Sequence, residues 1–258
     1  MRTVVATRYV TPLREGGSLP AIIEADDDGL YVLKFRGAGQ GTKALIAELV
    51  AGELARASGL RIPELVYVEL NPDLARTEPD PEIQDLIRAS AGLNLALDYL
   101  PGSVTFDPLA EKIDSRLASF IVCFDAFVMN VDRTPRNVNM LLWHNNLWLI
   151  DHGAALYPHH AGETFPERSG DPFPLVRDHV LLPFADDLRE ADAALTAIMT
   201  RDLVDAVLHD VPDSWLNNGE DGDRAAARRE HYRSFLLRRM SQPHQYLEEA
   251  IRARAAHI

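Results

Sequence analysis

A few side chains in this 258-residue sequence have types and spacing that fit a single reaction. Asp132-Arg133-Thr134-Pro135-Arg136-Asn137 sets a carboxylate and a carboxamide five positions apart in a tight loop. Asp151-His152-Gly153 follows at the spacing a turn between two strands would give. Phosphoryl transfer asks a protein for little covalent chemistry: a carboxylate to orient or deprotonate the acceptor hydroxyl, and oxygen ligands to hold magnesium against the phosphates. Asp132 suits the first task. Asn137 and Asp151 suit the second, because Mg²⁺ keeps several waters and needs few protein oxygens. Further forward, Lys34 is flanked by Val32, Leu33 and Phe35, so it belongs to a strand. A lysine there can reach nucleotide phosphates if a carboxylate holds it, and Glu48 on the next helix is the natural partner. Each residue alone also fits an ordinary turn or a solvated edge strand. Their conjunction and order argue for chemistry.

The elements that must position these residues can be read from periodicity. Val4–Val10, Ala21–Glu24 and Leu30–Phe35 read as strands, with Asp26-Asp27-Asp28-Gly29 closing a hairpin. The period changes at Thr42, where a helix begins that stops at Ser58-Gly59. Residues 65–70 and 93–100 read as strands on either side of an acidic, Pro-containing surface excursion over 71–92. Leu109–Met129 reads as one long helix, followed by a loop over 130–136 and a hairpin of 138–142 and 147–150. Residues 153–178 read as a long loop, and helices are expected over 185–210 and 223–254. The order is a β-rich front with one helix, then a helical back with one hairpin.

These segments together resemble the HipA-like kinases. Tyr31-Val32-Leu33-Lys34-Phe35, Ala47-Glu48-Leu49 and the run from Ala55 to Pro63 are similar to that family's lysine strand, glutamate helix and following turn. Asp132 to Asn137 and Ile150-Asp151-His152-Gly153 are similar to its catalytic and metal-binding segments. The likeness covers roughly residues 15–155. It implies an α+β, bilobal, protein-kinase-like fold, with a small β-rich N-lobe over residues 1–100 and a mainly α-helical C-lobe over 101–258. It also implies ATP and Mg²⁺ in the cleft and γ-phosphate transfer to a protein Ser or Thr. By this analogy Asp132 is the catalytic base, Asn137 and Asp151 are metal ligands, Lys34 and Glu48 position the phosphates, and Asp98-Tyr99-Leu100 is the hinge at adenine. Gly16-Gly17-Ser18 takes the place of the glycine-rich lid, and Ser18 is expected to be a self-phosphorylation site. The sequence departs from eukaryotic kinases in carrying Asn130-Val131 where they have His-Arg, and His152 where they have Phe. No Ala-Pro-Glu segment follows, and the chain lacks the N-terminal extension of HipA toxins, so an antitoxin-like partner stays open. A small-molecule kinase, of aminoglycoside or lipid type, shares the same motifs and is the alternative enzyme. A nucleotide-binding pseudokinase is the alternative outside catalysis.

Other signals point elsewhere. Gly37-Ala38-Gly39-Gln40-Gly41-Thr42-Lys43 lacks the Gly-Lys-Ser/Thr order of a P-loop and is kept only as a second phosphate contact. His159-His160 lacks helical zinc-ligand spacing. Cys123, the single cysteine, sits in an apolar helix and reads as core packing. It forms no internal disulfide and fits a reducing cytoplasm. With 47% apolar residues the chain can bury a core, yet it has no membrane-length apolar run, and its first residues do not read as a signal peptide. A net charge of −13 argues against a nucleic-acid partner.

Overall fold

Apolar and polar residues alternate along the front of the chain, and the alternation curls it into a closed five-stranded barrel. Strands β1 (Thr3–Pro12), β2 (Ala21–Ala25), β3 (Leu30–Lys34), β4 (Leu65–Leu70) and β5 (Gly92–Asp98) run in the order β1-β2-β3-β5-β4. β1 closes onto β4 in parallel, and the other pairings are antiparallel. The computed structural model describes residues 1–13, 19–39, 41–217, 224–241 and 244–256. Ile23, Leu33, Val66, Val68 and Ala96 fill the barrel. Because successive strand side chains point to opposite faces, burial of Leu33 inside the barrel sends Lys34 out through the other face. Its cross-strand partner there is Leu95, which belongs to a second core built around helix α1 (Thr42–Ala57).

α1 is buried on every side from Leu45 to Ala55, as expected of a helix without a polar face. It lies between the barrel and the helical half of the chain. Gly52 lets it approach β4: a Cβ there would sit 2.8 Å from Leu65 Cδ1. The helix stops where expected, with Gly59 at φ 91° and the Leu60 N–H donating back to Ala55 O.

Residues 71–92 are more ordered than a surface excursion. Asn71 caps a 3-10 turn, and Asp80 accepts from Glu82 N to cap α2 (Pro81–Ala89). Ile83 and Ile87, four apart, then bury against the barrel.

The second half holds a small sheet, β6 (Val104–Thr105), β7 (Met140–Trp143) and β8 (Asn146–Leu149), in that order. The expected hairpin forms with His144 and Asn145 in the left-handed region. Helix α3 (Ser115–Val128) is shorter than the apolar pattern, because Asp114 accepts from Arg116 N and Leu117 N and fixes the start there. The helix expected over 185–210 is two, α4 (Leu188–Ile198) and α5 (Arg201–His209), parted where Thr200 caps Leu203 N. α6 (Asp213–Asn217), α7 (Ala225–Ser241) and α8 (Gln245–Ala255) complete the chain. The segment from 153 to 178 carries three 3-10 turns and is pinned by the buried Arg239. That guanidinium donates to Ser169 O and Asp171 O, and also to Ala126 O and Phe127 O at the end of α3. Among the described residues no helix is long and apolar enough to cross a membrane.

Candidate active site

The outward face of β3, the inward face of α1 and the turn after β8 converge on one ammonium group. Lys34 Nζ lies 2.8 Å from Asp151 Oδ1 and 3.8 Å from Glu48 Oε2. Burial alone would depress the Lys34 ammonium, but the charges of Asp151 and then Glu48 outweigh it and hold it above the ordinary lysine range. Glu48 is only 1% exposed. Burial would raise its carboxyl; the Lys34 charge and hydrogen bonding from His152 hold it well below the usual carboxylate range instead. The His152 N–H donates to Glu48 Oε1 at 3.0 Å. Asp151 itself has φ 56°, a left-handed conformation that aspartate tolerates better than most residues.

The loop after α3 brings Asp132 and Asn137 together. Asn137 Nδ2 donates to Asp132 Oδ2 at 2.6 Å, a bond that does not use the Asn137 amide oxygen. Asn139 Nδ2 also donates to Asp132 Oδ2, at 3.3 Å. Burial first, and then the charge of Asp151, push the Asp132 carboxyl above its ordinary range against these two donors. A Thr134–Asn137 bridge tightens the turn. The turn is joined to the Asp151 segment by Ile150 N donating to Asn139 O and Leu156 N donating to Val128 O.

Beneath this loop lies a buried layer that brings His152 together with Arg133, Asp125 and His179. Arg133 Nε donates to Asp125 Oδ2 at 2.5 Å, both side chains being wholly buried. Arg133 also donates to Asn139 O, and its Nη2 meets His152 Nε2 at 3.1 Å. Asn130 Nδ2 and His179 Nε2 complete the shell around Asp125. Despite its burial, the Asp125 carboxyl is held far below the usual range by Arg133 and His179. One signal for this layer was visible: a lone carboxylate amid the apolar residues of α3 needs a buried cationic partner.

The remaining expected residues are placed less directly. The N–H of Asp98 donates to Glu64 O and that of Tyr99 to Leu30 O, so both are engaged within the barrel. Leu100 is buried, and its carbonyl accepts from Ser103 N. Gly16, Gly17 and Ser18 lie outside the described residues. In the second glycine-rich stretch, Lys43 turns away to donate to His159 O, and Thr42 Oγ1 donates to Trp215 O. His159 faces His160 ring nitrogen to ring nitrogen at 3.1 Å and Tyr232 on its other side. Cys123 is buried, its thiol pushed far up by burial.

The sequence model described as HipA-like kinase matches residues 7–248. The chain belongs to this family. It is therefore a kinase-type phosphotransferase, and the protein-kinase-like fold is common to its solved neighbours. The Helicobacter pylori proinflammatory kinase CtkA superposes with a TM-score of 0.53 at 14% identity, covering 93% of this chain and 95% of the other. The Golgi casein kinase with Mn/ADP bound superposes at 0.54 and 12% identity, covering 96% of this chain and 74% of the other. Another structure of the Golgi casein kinase gives 0.51 at 13% identity, with the same coverage. No curated protein matches the chain. This HipA-like kinase thus brings its motif residues together from both halves of the chain: Lys34 and Glu48 from the front, Asp132, Asn137 and Asp151 from the back.

Proposed function

We propose that this HipA-like kinase moves the γ-phosphate of ATP to a Ser or Thr hydroxyl of a protein, with Mg²⁺ as its metal. The observation that carries the reading is the convergence of Lys34, Asp151 and Glu48 beside the Asp132–Asn137 pair. On this reading residues 1–100 form the nucleotide-binding lobe and 101–258 the catalytic lobe. The donor set fits magnesium: the Asp151 carboxylate and the Asn137 amide oxygen are hard oxygen ligands, and a metal there would share the Asp151 carboxylate with the Lys34 ammonium. When bound, the metal would neutralise charge on the phosphates.

The chain's own groups supply the rest. Lys34, held by Glu48, is an ammonium fixed in place for phosphate oxygens. Asp132 is held by Asn137 and Asn139 in one orientation, from which it can accept the acceptor's hydroxyl proton. Its raised carboxyl affinity makes it a better base than an exposed aspartate. Asp98, Tyr99 and Leu100, at the end of β5, are assigned to the adenine edge. With the Asp98 and Tyr99 N–H groups used within the barrel, hydrogen bonding to the base falls to carbonyls and to the Leu100 N–H. Gly16, Gly17 and Ser18 are assigned to the phosphate lid. The Golgi casein kinase is, by its name, a kinase of a protein, which favours a protein acceptor here.

The test is radiolabelled ATP with purified protein, alone and then with cell lysate. A labelled protein band whose label resides on Ser or Thr is expected. Label recovered only in a small molecule would replace the acceptor class. Nucleotide binding without any transfer would reduce the protein to a binding module.

A further inference from the structure

His152 occupies the place where eukaryotic kinases carry Phe, and it is a fully buried histidine with polar contacts to both halves of the molecule. Toward the front, its backbone N–H donates to Glu48 Oε1, and its Nδ1 faces the same oxygen at 3.6 Å. Toward the back, its Nε2 lies 3.1 Å from Arg133 Nη2. A guanidinium offers only donors, so His152 Nε2 must accept. The ring proton therefore resides on Nδ1, which at 3.6 Å from Glu48 Oε1 makes no hydrogen bond among the described residues. Phe124 packs edge-on against the ring at 6.4 Å.

Arg133 is the neighbour of Asp132, and its guanidinium also donates to the carbonyls of Asn139 and Ile150. One cation thus fixes the Asp132 loop and the residue before Asp151. The geometry points to His152 as a positioning residue whose ring holds this cation while its backbone N–H holds Glu48, so that the ring contact sets where the Asp132 loop lies relative to Lys34 on β3. A phenylalanine would fill the volume but leave the Arg133 Nη2 hydrogen without its ring acceptor. The inference rests on the reading of Lys34 and Asp132 as the two sides of a phosphotransfer site.

The test compares His152→Phe, His152→Gln and His152→Asn. A Gln amide oxygen comes near the Nε2 position and can accept from Arg133, whereas that of Asn comes near Nδ1 and cannot. The expected kcat falls about 10- to 100-fold in the Phe and Asn variants, the usual cost of losing a group that orients a functional residue. The Gln variant recovers most of it, and the nucleotide KM is unchanged throughout. A pure packing role predicts the reverse order, with Phe nearest to wild type. Wild-type kcat in His152→Phe, or a Gln variant no better than Asn, overturns the inference. Should the variants fold poorly, ¹⁵N spectra of the wild-type histidines decide without mutation: His152 should show a protonated Nδ1 and a bare Nε2, and a proton on Nε2 overturns the link to Arg133. Wild-type protein without phosphotransfer would count against the proposed function, while the nitrogen spectra would still decide the His152 contact.

Discussion

Asp151→Ala and Asp132→Asn should both abolish transfer yet part company in nucleotide binding. Asp151 lies against Lys34 at 2.8 Å and is the charged member of the proposed metal-ligand set. Two unit charges about 4 Å apart at an effective dielectric of about 20 interact by about 4 kcal/mol. Loss of this carboxylate therefore removes up to about 10³-fold from the metal-dependent affinity. Nucleotide at about 100 times its Kd stabilises a fold by roughly 2.7 kcal/mol. For a chain of this size that is a melting shift of about 5–11 °C, at about 2–4 °C per kcal/mol. At the same concentration a site about 10³-fold weaker is only about one-tenth saturated and gains less than about 0.1 kcal/mol, so the shift vanishes. Asp132→Asn is different: it removes a negative charge from the site proposed to admit phosphates, and it keeps an oxygen for Asn137 Nδ2. Its shift should equal or exceed that of wild type. The assay is calorimetric melting with Mg-ATP, with ATP plus chelator as the control. Equal shifts in the two variants, or a wild-type shift in Asp151→Ala, would refute the division of roles.

Three further outcomes follow from the same contacts. Lys34→Met should not be silent in stability, because it leaves Glu48, 1% exposed, without its cation; unpairing a buried charge costs about 3–5 kcal/mol. Adding Glu48→Gln should restore much of the melting temperature without restoring transfer, and a Lys34→Met protein as stable as wild type would contradict the pairing. Asp132, its carboxyl raised in the folded state, contributes stability below the unfolded pKa that is lost as pH rises through the folded value, so Asp132→Asn should melt above wild type at pH 7 without ligand. A lower melting point would show that the carboxylate's two amide bonds outweigh its burial. His159, held down to about 3 by burial first and by His160 next, contributes stability that is full above the unfolded value of 6.5 and declines as pH falls. At pH 5 this is worth about 2 kcal/mol, and His159→Gln should flatten the acid limb of the melting curve; an unchanged slope would remove His159 as its source.

What could be read in the sequence, and what could not, follows from the range of the forces involved. Lys34 was legible because a period of two along β3 leaves a lysine between buried Leu33 and Phe35 only one exit, toward α1. Asp132, Asn137 and Asp151 were legible because a tight turn and a hairpin fix their separation locally, and family resemblance supplied their order. Helix boundaries at Asp114 and Thr200 were missed although the capping residues stood in plain view, because apolar spacing ran on through them. α2 was missed for the opposite reason: its acidic composition masked Asp80-Pro81 as a helix start and Ile83 with Ile87 as a buried pair. The layer of Asp125, Arg133, His152 and His179 belongs to a different class, since its members are up to 54 residues apart and meet only once α3, the Asp132 loop and the segment before α4 have packed. No local pattern encodes such a meeting, yet its necessity was written in one residue. A carboxylate inside an apolar helix requires a buried cation, and the cation it finds is the residue next to the proposed base. The stability of the core and the aim of the Asp132 loop are therefore set by the same ion pair, so substitutions at Asp125 should alter both together.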